Sequence, residues 1–341
     1  MRRVLLPHAI SDAAPAATAL LHDLSGLSMG TSWSVRLAAE AGVDLASLQH
    51  GLQQQLDDVV AQMSHWEAGS DLGRYNRAPA GSRHVLPAAF FDVLSFALEV
   101  AQASGGAYNP CAGALVNLWG FGPTGRYDQA GFTAPTPDQL AAACASLQQL
   151  SLAPDAATRS VCQPAAVQLD LSAVAKGYGV DRLAYYLQSQ GYGHYLVEVG
   201  GELRGAGVKP DGQPWWVALE QPPVQDGAAA LPAPIVLALH GLSVATSGDY
   251  RRYFEQDGQR YAHTIDPRNG WPISNALASV TVIHPQCMAA DAWSTALTVL
   301  GPQAGLRLAE QQGLAARLLC RHADGTYSET LSSAFVSMLD Q

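Results

Sequence analysis

Hydrophobic residues recur every three or four positions in several segments of the chain, which is the spacing of one helix face. Between Asp44 and Met63 this spacing runs through Leu45, Leu48 and further apolar positions to the end of the segment. The same spacing predicts helices at Pro87–Ser104, Thr136–Leu150, Ala173–Gln190, Ala289–Leu300 and Gln303–Gln312. The predicted helix Pro87–Ser104 has a proline in its first turn, and two glycines follow its last turn, which marks both of its ends.

Apolar and polar residues alternate in other segments, which is the period of a β-strand. The first is "SWSVRL" at Ser32–Leu37. Further strands are predicted at Val167–Leu169, His194–Val199, Leu203–Val208, Trp215–Leu219, Ile235–Leu239, Ser243–Thr246, Tyr250–Gln256, Gln259–Ile265 and Ser279–Ile283, with two more near the end. Helices and strands come in blocks without a regular βαβ alternation, so the pattern favours an α+β fold.

The organisation of the chain is predicted to be simple. Residues 1–27 read as a loose N-terminal arm, and residues 28–337 as a single domain. Residues 120–136 and 221–234 are rich in glycine and proline, which predicts an exposed loop in each of these segments. No internal repeat has the period of a solenoid or propeller.

Composition narrows the class of protein. The 341 residues are 48% hydrophobic and 14% charged, which suits an ordinary globular protein with a full core. The net charge of −10 argues against a nucleic-acid partner, which would require a basic face. The five cysteines are scattered and form no CxxC pair, so we interpret them as free thiols in reducing surroundings.

The first ten residues, "MRRVLLPHAI", place two arginines before a short apolar run. Pro7 and His8 interrupt that run before it reaches the roughly 7–15 residues of a signal-peptide core. No stretch approaches the roughly 20 apolar residues of a membrane span. We therefore expect a cytoplasmic protein without a transmembrane segment, with export as the alternative.

The segment "LDLSAVAKGYGVD" carries an acid and a base among small and apolar residues. Asp170 lies at a predicted strand-to-helix junction, where backbone amides and the helix dipole favour an anion. Lys176 lies near the same helix end, within reach of a phosphate, and Asp170 can accept hydrogen bonds from a ring or ribose. The alternative is a capping aspartate and a surface lysine.

The segment "ADAWSTAL" places Asp291 and Thr295 four residues apart, on one helix face, with Ser294 between them. A carboxylate with a hydroxyl is a hard oxygen set that suits Mg²⁺. The alternative is an ordinary helix start with an aspartate near its N-terminus.

Two further segments offer groups for chemistry. In "YAHTIDPRNGWPI", His263 lies on a strand, and its neutral form can take a hydroxyl proton near pH 7. In "ATSGDY", Thr246, Ser247 and Gly248 lie where a turn can present amides to phosphate. The alternatives are a half-buried hairpin histidine and a plain tight turn.

Aromatic residues stand beside glycines in three segments, "SMGTSW", "MSHWEAGSDLGRYN" and "GGAYNPCAGALVNLWGFGP". Trp66, Tyr108 and Trp119, together with Met29, suit the binding of a flat ring such as that of a flavin. Core packing is the alternative.

Taken together and in this order, these segments resemble the ApbE family of FAD:protein FMN transferases. The resemblance extends from about residue 28 to 337 and includes "LDLSAVAKGYGVD", "VGGELRGAG", "ATSGDY", "HTIDPRNGWP" and "ADAWSTAL". It implies an ApbE-like α+β fold, with mixed or antiparallel sheets, packed helices and two closely joined lobes that hold FAD in a cleft between them.

The resemblance also implies roles for individual residues. The residues expected to contact FAD are Met29, Trp66, Ala107, Tyr108, Asn109, Asp170, Lys176 and Ile265. Mg²⁺ is expected on the side chains of Asp291 and Thr295 and on the carbonyl of Ala173, and His263 matches a candidate general base. Asn109 departs from the family pattern, which commonly has aspartate there, and this puts its flavin or ribose contact in doubt.

The implied reaction is Mg²⁺-dependent transfer of FMN from FAD to a threonine hydroxyl of an acceptor flavoprotein, with release of AMP. Two alternatives remain open from the sequence. Water in place of threonine would make the protein an FAD pyrophosphatase that yields FMN and AMP. A protein that binds FAD without catalysis would serve as a carrier or maturation partner, although such a carrier requires no metal.

Overall fold

The computed structural model describes residues 3–10, 14–148, 152–165, 167–223 and 231–339. The helices are α1 (Leu45–Met63), α2 (Asp71–Asn76), α3 (Ala88–Ala103), α4 (Gly113–Leu118), α5 (Pro137–Gln148), α6 (Ala175–Ser189), α7 (Cys287–Gln311) and α8 (Ser333–Val336). The strands are β1 (Arg3–Leu5), β2 (Leu20–Ser28), β3 (Thr31–Ala39), β4 (Arg83–Val85), β5 (Ser160–Cys162), β6 (Tyr195–Val199), β7 (Glu202–Ala206), β8 (Trp215–Ala218), β9 (Ile235–Leu239), β10 (Leu242–Gly248), β11 (Tyr253–Gln256), β12 (Gln259–Ala262), β13 (Leu277–His284), β14 (Ala315–Arg321) and β15 (Tyr327–Leu331). The predicted α+β class is confirmed.

The chain divides into two compact units. The first unit comprises Met1–Asp58, Lys176–Gly248 and Ala276–Gln341, and the second comprises Val59–Ala175 and Asp249–Asn275. The single domain expected for residues 28–337, and the cleft between its lobes, stay predictions.

An eight-stranded antiparallel sheet, in the order β15-β14-β13-β10-β7-β6-β3-β2, is the centre of the first unit. Alternate residues of β3 are buried, which is why Trp33, Val35 and Leu37 enter the core beside Leu52 of α1 and Leu183 of α6. Helix α7 packs against β10 and β13. A smaller sheet of β1, β9 and β8 completes this unit.

The second unit contains α2 to α5 and two hairpin-like strand pairs, β4–β5 and β11–β12. One apolar cluster of this unit joins Trp119 and Phe121 to Ile265, with Phe254 and Tyr261 packed against it. The indole N–H of Trp119 donates to the carbonyl of Gly270 at 2.7 Å. This bond ties the segment after α4 to the turn that follows β12.

The predicted helices are confirmed, with ends that move by one to three residues. The two helices predicted around residue 301 are the halves of α7, which is broken at Gly301, where φ is 79°, and at Pro302. Leu150, the last residue of the third predicted helix, lies outside the described residues. The short helices α2, α4 and α8 were not predicted, because four to six residues are too few to show a helical period.

The strand predictions are less accurate at the ends of the chain. In place of a loose arm in residues 1–27, Arg3–Leu5 pair in parallel with β9, and Leu20–Ser28 pair with β3. The exposed side chains of β2 hide its period, since only Leu24 is buried there. The strand predicted at Val167–Leu169 is wrong: Gln168 forms only an isolated bridge to Ala112.

Two other predictions concern the state of the cysteines and the presence of membrane-spanning segments. Four of the five cysteines are buried, Cys162 is exposed, and all five are free thiols. Within the described ranges, no helix has both the length and the hydropathy needed to span a bilayer. Of the loop predicted at residues 221–234, residues 224–230 lie outside the described part.

Candidate active site

A cavity of about 320 Å³ lies in the second unit. Trp66 and Asp170, both predicted to contact FAD, line it together with His65, Asn117 and Arg77. His65 and Trp66 lie just after α1, where the Ser64 hydroxyl accepts the N–H of Trp66 at 3.2 Å. Trp66 is 41% exposed, so part of its ring is accessible at the cavity.

Asp170 is held by hydrogen bonds from both sides. The amide side chain of Asn76 donates to the carbonyl of Leu169 at 2.9 Å and accepts its N–H at 2.7 Å. The N–H of Asp170 donates to the Pro110 carbonyl at 2.8 Å. One oxygen of its carboxylate accepts the N–H of Ser172 at 2.8 Å, which fixes the turn before α6, a helix that begins only at Ala175.

His65 and Asp170 form a buried ion pair. Nδ1 of His65 lies 3.1 Å from Oδ1 of Asp170, and the two side chains are 8% and 12% exposed. Burial lowers the pKa of His65, but the charge and hydrogen bond of Asp170 outweigh it, so that the pKa is raised. Burial raises the pKa of Asp170, and the charge and hydrogen bond of His65 reverse this and lower it well below its usual range. The pair is therefore ionic at mildly acid pH.

The predicted FAD contacts at Ala107, Tyr108 and Asn109 lie in the loop after α3. Ala107 and Tyr108 are buried, and the N–H of Tyr108 donates to the Ser104 hydroxyl at 3.1 Å. The amide oxygen of Asn109 accepts the N–H of Cys111 at 2.9 Å. Asn109 thus shapes the loop whose next residue, Pro110, holds Asp170.

His263 follows β12 directly and is half-buried. Its Nδ1 lies 3.0 Å from the carbonyl oxygen of Arg252. A carbonyl only accepts, so Nδ1 carries the proton and Nε2 is the basic nitrogen of the neutral ring. The edge of the ring meets Phe121, with 6.3 Å between centroids. Ile265 is buried in the aromatic cluster, so the packing role is the one visible there.

In the first unit, Asp291 on α7 is 3% exposed, and its Oδ2 accepts the N–H of Gly177 at 3.0 Å. A Cβ on Gly177 would lie 2.4 Å from the Cys287 carbonyl and 2.8 Å from Cβ of Asp291. The glycine after Lys176 therefore permits α6 and α7 to approach, which places two of the predicted site residues on adjoining helices.

Lys176 has a partner that the sequence analysis missed. Its Nζ lies 2.6 Å from Oε1 of Glu202, whose side chain is 2% exposed. Asp181, also buried, forms an ion pair with Arg204 and accepts the N–H groups of Cys287 and Met288 at 3.1 and 2.9 Å. These carboxylates fix the start of α6 against β7 and the first turn of α7.

Ser247, at the end of β10, contacts the predicted metal-binding helix. Its hydroxyl lies 2.7 Å from that of Ser294 and 3.1 Å from that of Thr295. Thr246 points elsewhere, to Thr281 at 2.8 Å. The segment is the last part of a strand, so the turn predicted for residues 246–248 is wrong.

The donor set on α7 fits a hard cation. Asp291 supplies a carboxylate and Thr295 a hydroxyl, and the four-residue spacing places both on one face. No three His, Cys, Asp or Glu side chains cluster as a metal-binding group in the part of the chain that the structure describes. A cation here would therefore rely on hydroxyl, backbone or substrate oxygens besides the one carboxylate, as Mg²⁺ commonly does.

The predicted residues fall into two groups. Met29, Lys176, Asp291 and Thr295 lie in the first unit, where Met29 (φ 51°) sits in the β2–β3 turn. A Cβ on Gly179 would lie 3.0 Å from Cε of Met29, so this side chain packs on α6. The second unit holds Trp66, Ala107, Tyr108, Asn109, Asp170, Ala173, His263 and Ile265.

Sequence reasoning missed two functional candidates, His65 and Glu202. His65 stands beside Trp66 in "MSHW", and Glu202 is an isolated acid in the apolar segment "VGGEL". For Glu202, the available signal was an acid among the small and apolar residues of "VGGEL".

Known proteins are similar to this chain over most of its length. A sequence model of the ApbE family matches residues 29–318. A Vibrio cholerae protein named FAD:protein FMN transferase is 37% identical over 321 residues, which cover 93% of this chain and 92% of that protein. A protein of the same name from Haemophilus influenzae is 38% identical over 93% of this chain and 91% of its own length.

Solved structures give the same result for the fold. The flavinyl transferase ApbE of Pseudomonas stutzeri, in its apo form, superposes with a TM-score of 0.83 at 37% identity, over 94% of this chain and 97% of that one. The flavin transferase ApbE of Vibrio cholerae superposes with a TM-score of 0.83 at 36% identity, over 94% and 99%. The match of the family model over most of the chain, with these full-length similarities, shows that the chain belongs to the ApbE family.

Proposed function

We propose that this chain transfers FMN from FAD to an acceptor protein and releases AMP. Relatives that bear the name FAD:protein FMN transferase align over more than nine-tenths of their length and of this chain. The structural observation that carries the proposal is the 3.0 Å hydrogen bond from the Gly177 N–H to Asp291. It brings the acid proposed to hold a metal to the residue next to Lys176, which is proposed to meet the same pyrophosphate.

The proposed metal is Mg²⁺, held by the side chains of Asp291 and Thr295 and by the carbonyl of Ala173. When bound, it supplies positive charge that neutralises the pyrophosphate and the departing AMP. Gly177 keeps one carboxylate oxygen of Asp291 occupied, which leaves the other to act as a ligand. Lys176 adds a positive charge whose position is fixed by the buried Glu202.

The FAD contacts are proposed at the residues that the family resemblance indicates. Trp66 offers an exposed ring beside the cavity, and Asp170 offers a carboxylate kept ionised by His65. Ala107, Tyr108 and Asn109 precede Pro110, whose carbonyl accepts the backbone N–H of Asp170. Met29 and Ile265 complete the proposed set from the β2–β3 turn and the aromatic cluster.

The proposed transfer step uses His263 as general base. Nε2 takes the proton of a threonine hydroxyl on the acceptor, since Nδ1 is engaged by the Arg252 carbonyl. The threonine oxygen attacks the FMN-side phosphorus, and the bond from that phosphorus to the bridging oxygen breaks. FMN becomes joined to the acceptor by a phosphoester, AMP leaves with the bridging oxygen, and the proton stays on His263.

The direct test incubates the pure protein with FAD and MgCl₂, with an acceptor domain that carries a threonine flavinylation motif. A domain with that threonine changed to alanine is the control. We expect AMP and one FMN on the acceptor only when the threonine is present. AMP with free FMN in the absence of acceptor would identify a pyrophosphatase, and retained FAD without AMP would identify a carrier; either would overturn the proposal.

His263→Ala is expected to lower the rate of transfer by about 10²–10⁴-fold, the usual contribution of a general base, while FAD affinity stays unchanged. His322→Ala, in an exposed turn, is the matched control and should transfer at the wild-type rate. Rates are read from AMP release at saturating acceptor. Equal rates for His263→Ala and wild type would remove His263 from the mechanism.

A further inference from the structure

Three hydroxyls in the first unit form a short chain of hydrogen bonds beside the proposed metal ligands. Ser294 donates to the backbone carbonyl of Asp291 at 2.9 Å. Its oxygen lies 2.7 Å from the hydroxyl of Ser247, which in turn lies 3.1 Å from the hydroxyl of Thr295. The hydrogen bonds therefore run from Asp291 and Ser294 on α7 to Ser247 on β10 and back to Thr295 on α7.

The positions of the three protons follow from counting donors and acceptors. A carbonyl oxygen only accepts, so the proton of Ser294 is directed at Asp291. The 2.7 Å contact between Ser294 and Ser247 then has one available proton, that of Ser247. Because the proton of Ser247 is directed at Ser294, the contact between Ser247 and Thr295 requires the proton of Thr295.

The opposite direction fails on the same distances. If Ser247 donated to Thr295, the 2.7 Å contact would require the proton of Ser294, and the 2.9 Å contact between Ser294 and the Asp291 carbonyl would have no donor. Two oxygens at that distance without a proton between them repel each other, since a hydrogen bond requires one donor. A single arrangement thus satisfies all three contacts, and in it Thr295 is a donor to Ser247.

We propose that Ser247 is a positioning residue for the metal site. By accepting the proton of Thr295, it turns both lone pairs of that hydroxyl away from the strand, where a hard cation can be bound. A hydroxyl free to rotate would direct its proton at the cation part of the time, and the ligand would be weaker. This inference rests on the proposed role of Thr295 in holding a divalent cation.

The supporting structure is rigid enough for this role. Ser294 is fully buried, and β10 is hydrogen-bonded on both sides, to β13 and to β7. Ser247 itself pairs with Val280 of β13 in the sheet register. Partners that orient a metal ligand typically change metal affinity by about 10–100-fold when removed.

The test measures binding of Mn²⁺, as a paramagnetic substitute for Mg²⁺, by electron paramagnetic resonance without FAD or acceptor. Ser247→Ala is expected to weaken Mn²⁺ binding about 10-fold or more. Ser247→Cys keeps the volume but has a poor acceptor, so it should also bind weakly, whereas Ser247→Thr should restore affinity. Thermal unfolding of each variant verifies that the protein is folded.

Ser243→Ala is the matched control. Ser243 lies on the same strand and is fully buried, and its hydroxyl has no hydrogen-bond partner among the described residues. It should bind Mn²⁺ as tightly as wild type. Wild-type affinity in both Ser247→Ala and Ser247→Cys would overturn the positioning role.

The same experiment separates this inference from the proposed function. Wild-type protein that transfers flavin but binds no Mn²⁺, either alone or together with FAD, would overturn the role of Ser247 together with the metal site, and leave flavin transfer standing. Protein that binds Mn²⁺ with the expected order of variants but transfers no flavin would support the role of Ser247 and overturn the function.

Discussion

At the residue scale, two largely buried ion pairs belong to the candidate site. His65 with Asp170 and Lys176 with Glu202 place full charges in positions that are largely closed to water. Such pairs contribute little to stability by themselves, because desolvation offsets their attraction. Their consequence is that the two side chains proposed to meet FAD, Asp170 and Lys176, hold a fixed charge and direction.

The pair of His65 and Asp170 gives the stability of the protein a specific pH dependence. The raised pKa of His65 contributes stability below about pH 6.5 that is lost as pH rises through the folded pKa. The lowered pKa of Asp170 contributes stability above about pH 4 that is lost as pH falls. The contribution of the pair is therefore greatest between these two limits.

We expect His65→Gln to lower the free energy of unfolding more at pH 5.5 than at pH 9, because the raised pKa of His65 stabilises the folded protein only where the ring is protonated. Urea unfolding of wild type and variant at the two pH values measures the difference. His322→Gln, on the exposed β14–β15 turn, controls for the substitution. A difference that does not change with pH would show that folding does not raise the pKa of His65.

Lys176→Met is expected to destabilise the protein by about 2 kcal/mol, because it removes the cation next to a buried carboxylate. Lys209→Met is the control, since Lys209 pairs with Asp211, which is 60% exposed. Chemical denaturation measures both. Equal stability of the two variants would contradict a buried, ionised Glu202.

At the element scale, close packing of α6 on α7 determines where Asp291 lies. Gly177 has no side chain to separate the helices, and Asp181 holds the first turn of α7 through two N–H groups. Asp181 thereby acts as the cap of α7, the role that Gln286 does not fill with its side chain. The position of one glycine is thus as important for the proposed metal site as the ligands themselves.

Gly177→Ala is expected to lower the free energy of unfolding by about 1–3 kcal/mol, since its Cβ would lie 2.4 Å from the Cys287 carbonyl. The same shift should move Asp291 and reduce flavin transfer. Gly193→Ala has no heavy atom within 4 Å of the new Cβ and serves as the control. An unchanged Gly177→Ala protein would show that α6 and α7 are less tightly packed than described.

The sequence predicts the long elements well and the short ones poorly, for a physical reason. The 19 residues of α1 and the 16 of α3 contain enough turns for an apolar face to be visible. The three residues of β4 and β5 do not, since they depend on pairing with each other across 77 positions. At Val167–Leu169 an apolar run resembled a strand, but the side chain of Asn76 satisfies the Leu169 backbone instead.

At the scale of the whole molecule, segments far apart in sequence supply each group of site residues. In the first unit, Lys176 contacts Glu202, and its neighbour Gly177 contacts Asp291. Ser294 links Asp291 to Ser247. Sequence motifs indicated Lys176 and Asp291, because each stands out locally. The partners Glu202 and His65 could not be derived in the same way, since their roles depend on contacts formed only in the fold.

Flavin transfer that depends on the Asp291 carboxylate is tested by the mass of an acceptor domain after incubation with FAD and MgCl₂, once with wild type and once with Asp291→Asn. Asparagine retains an oxygen for the Gly177 N–H and removes the charge, so the fold is expected to persist. We expect wild type to add one FMN to the acceptor and Asp291→Asn to add none within the same time. Equal addition by both proteins, or no addition by wild type, would contradict it.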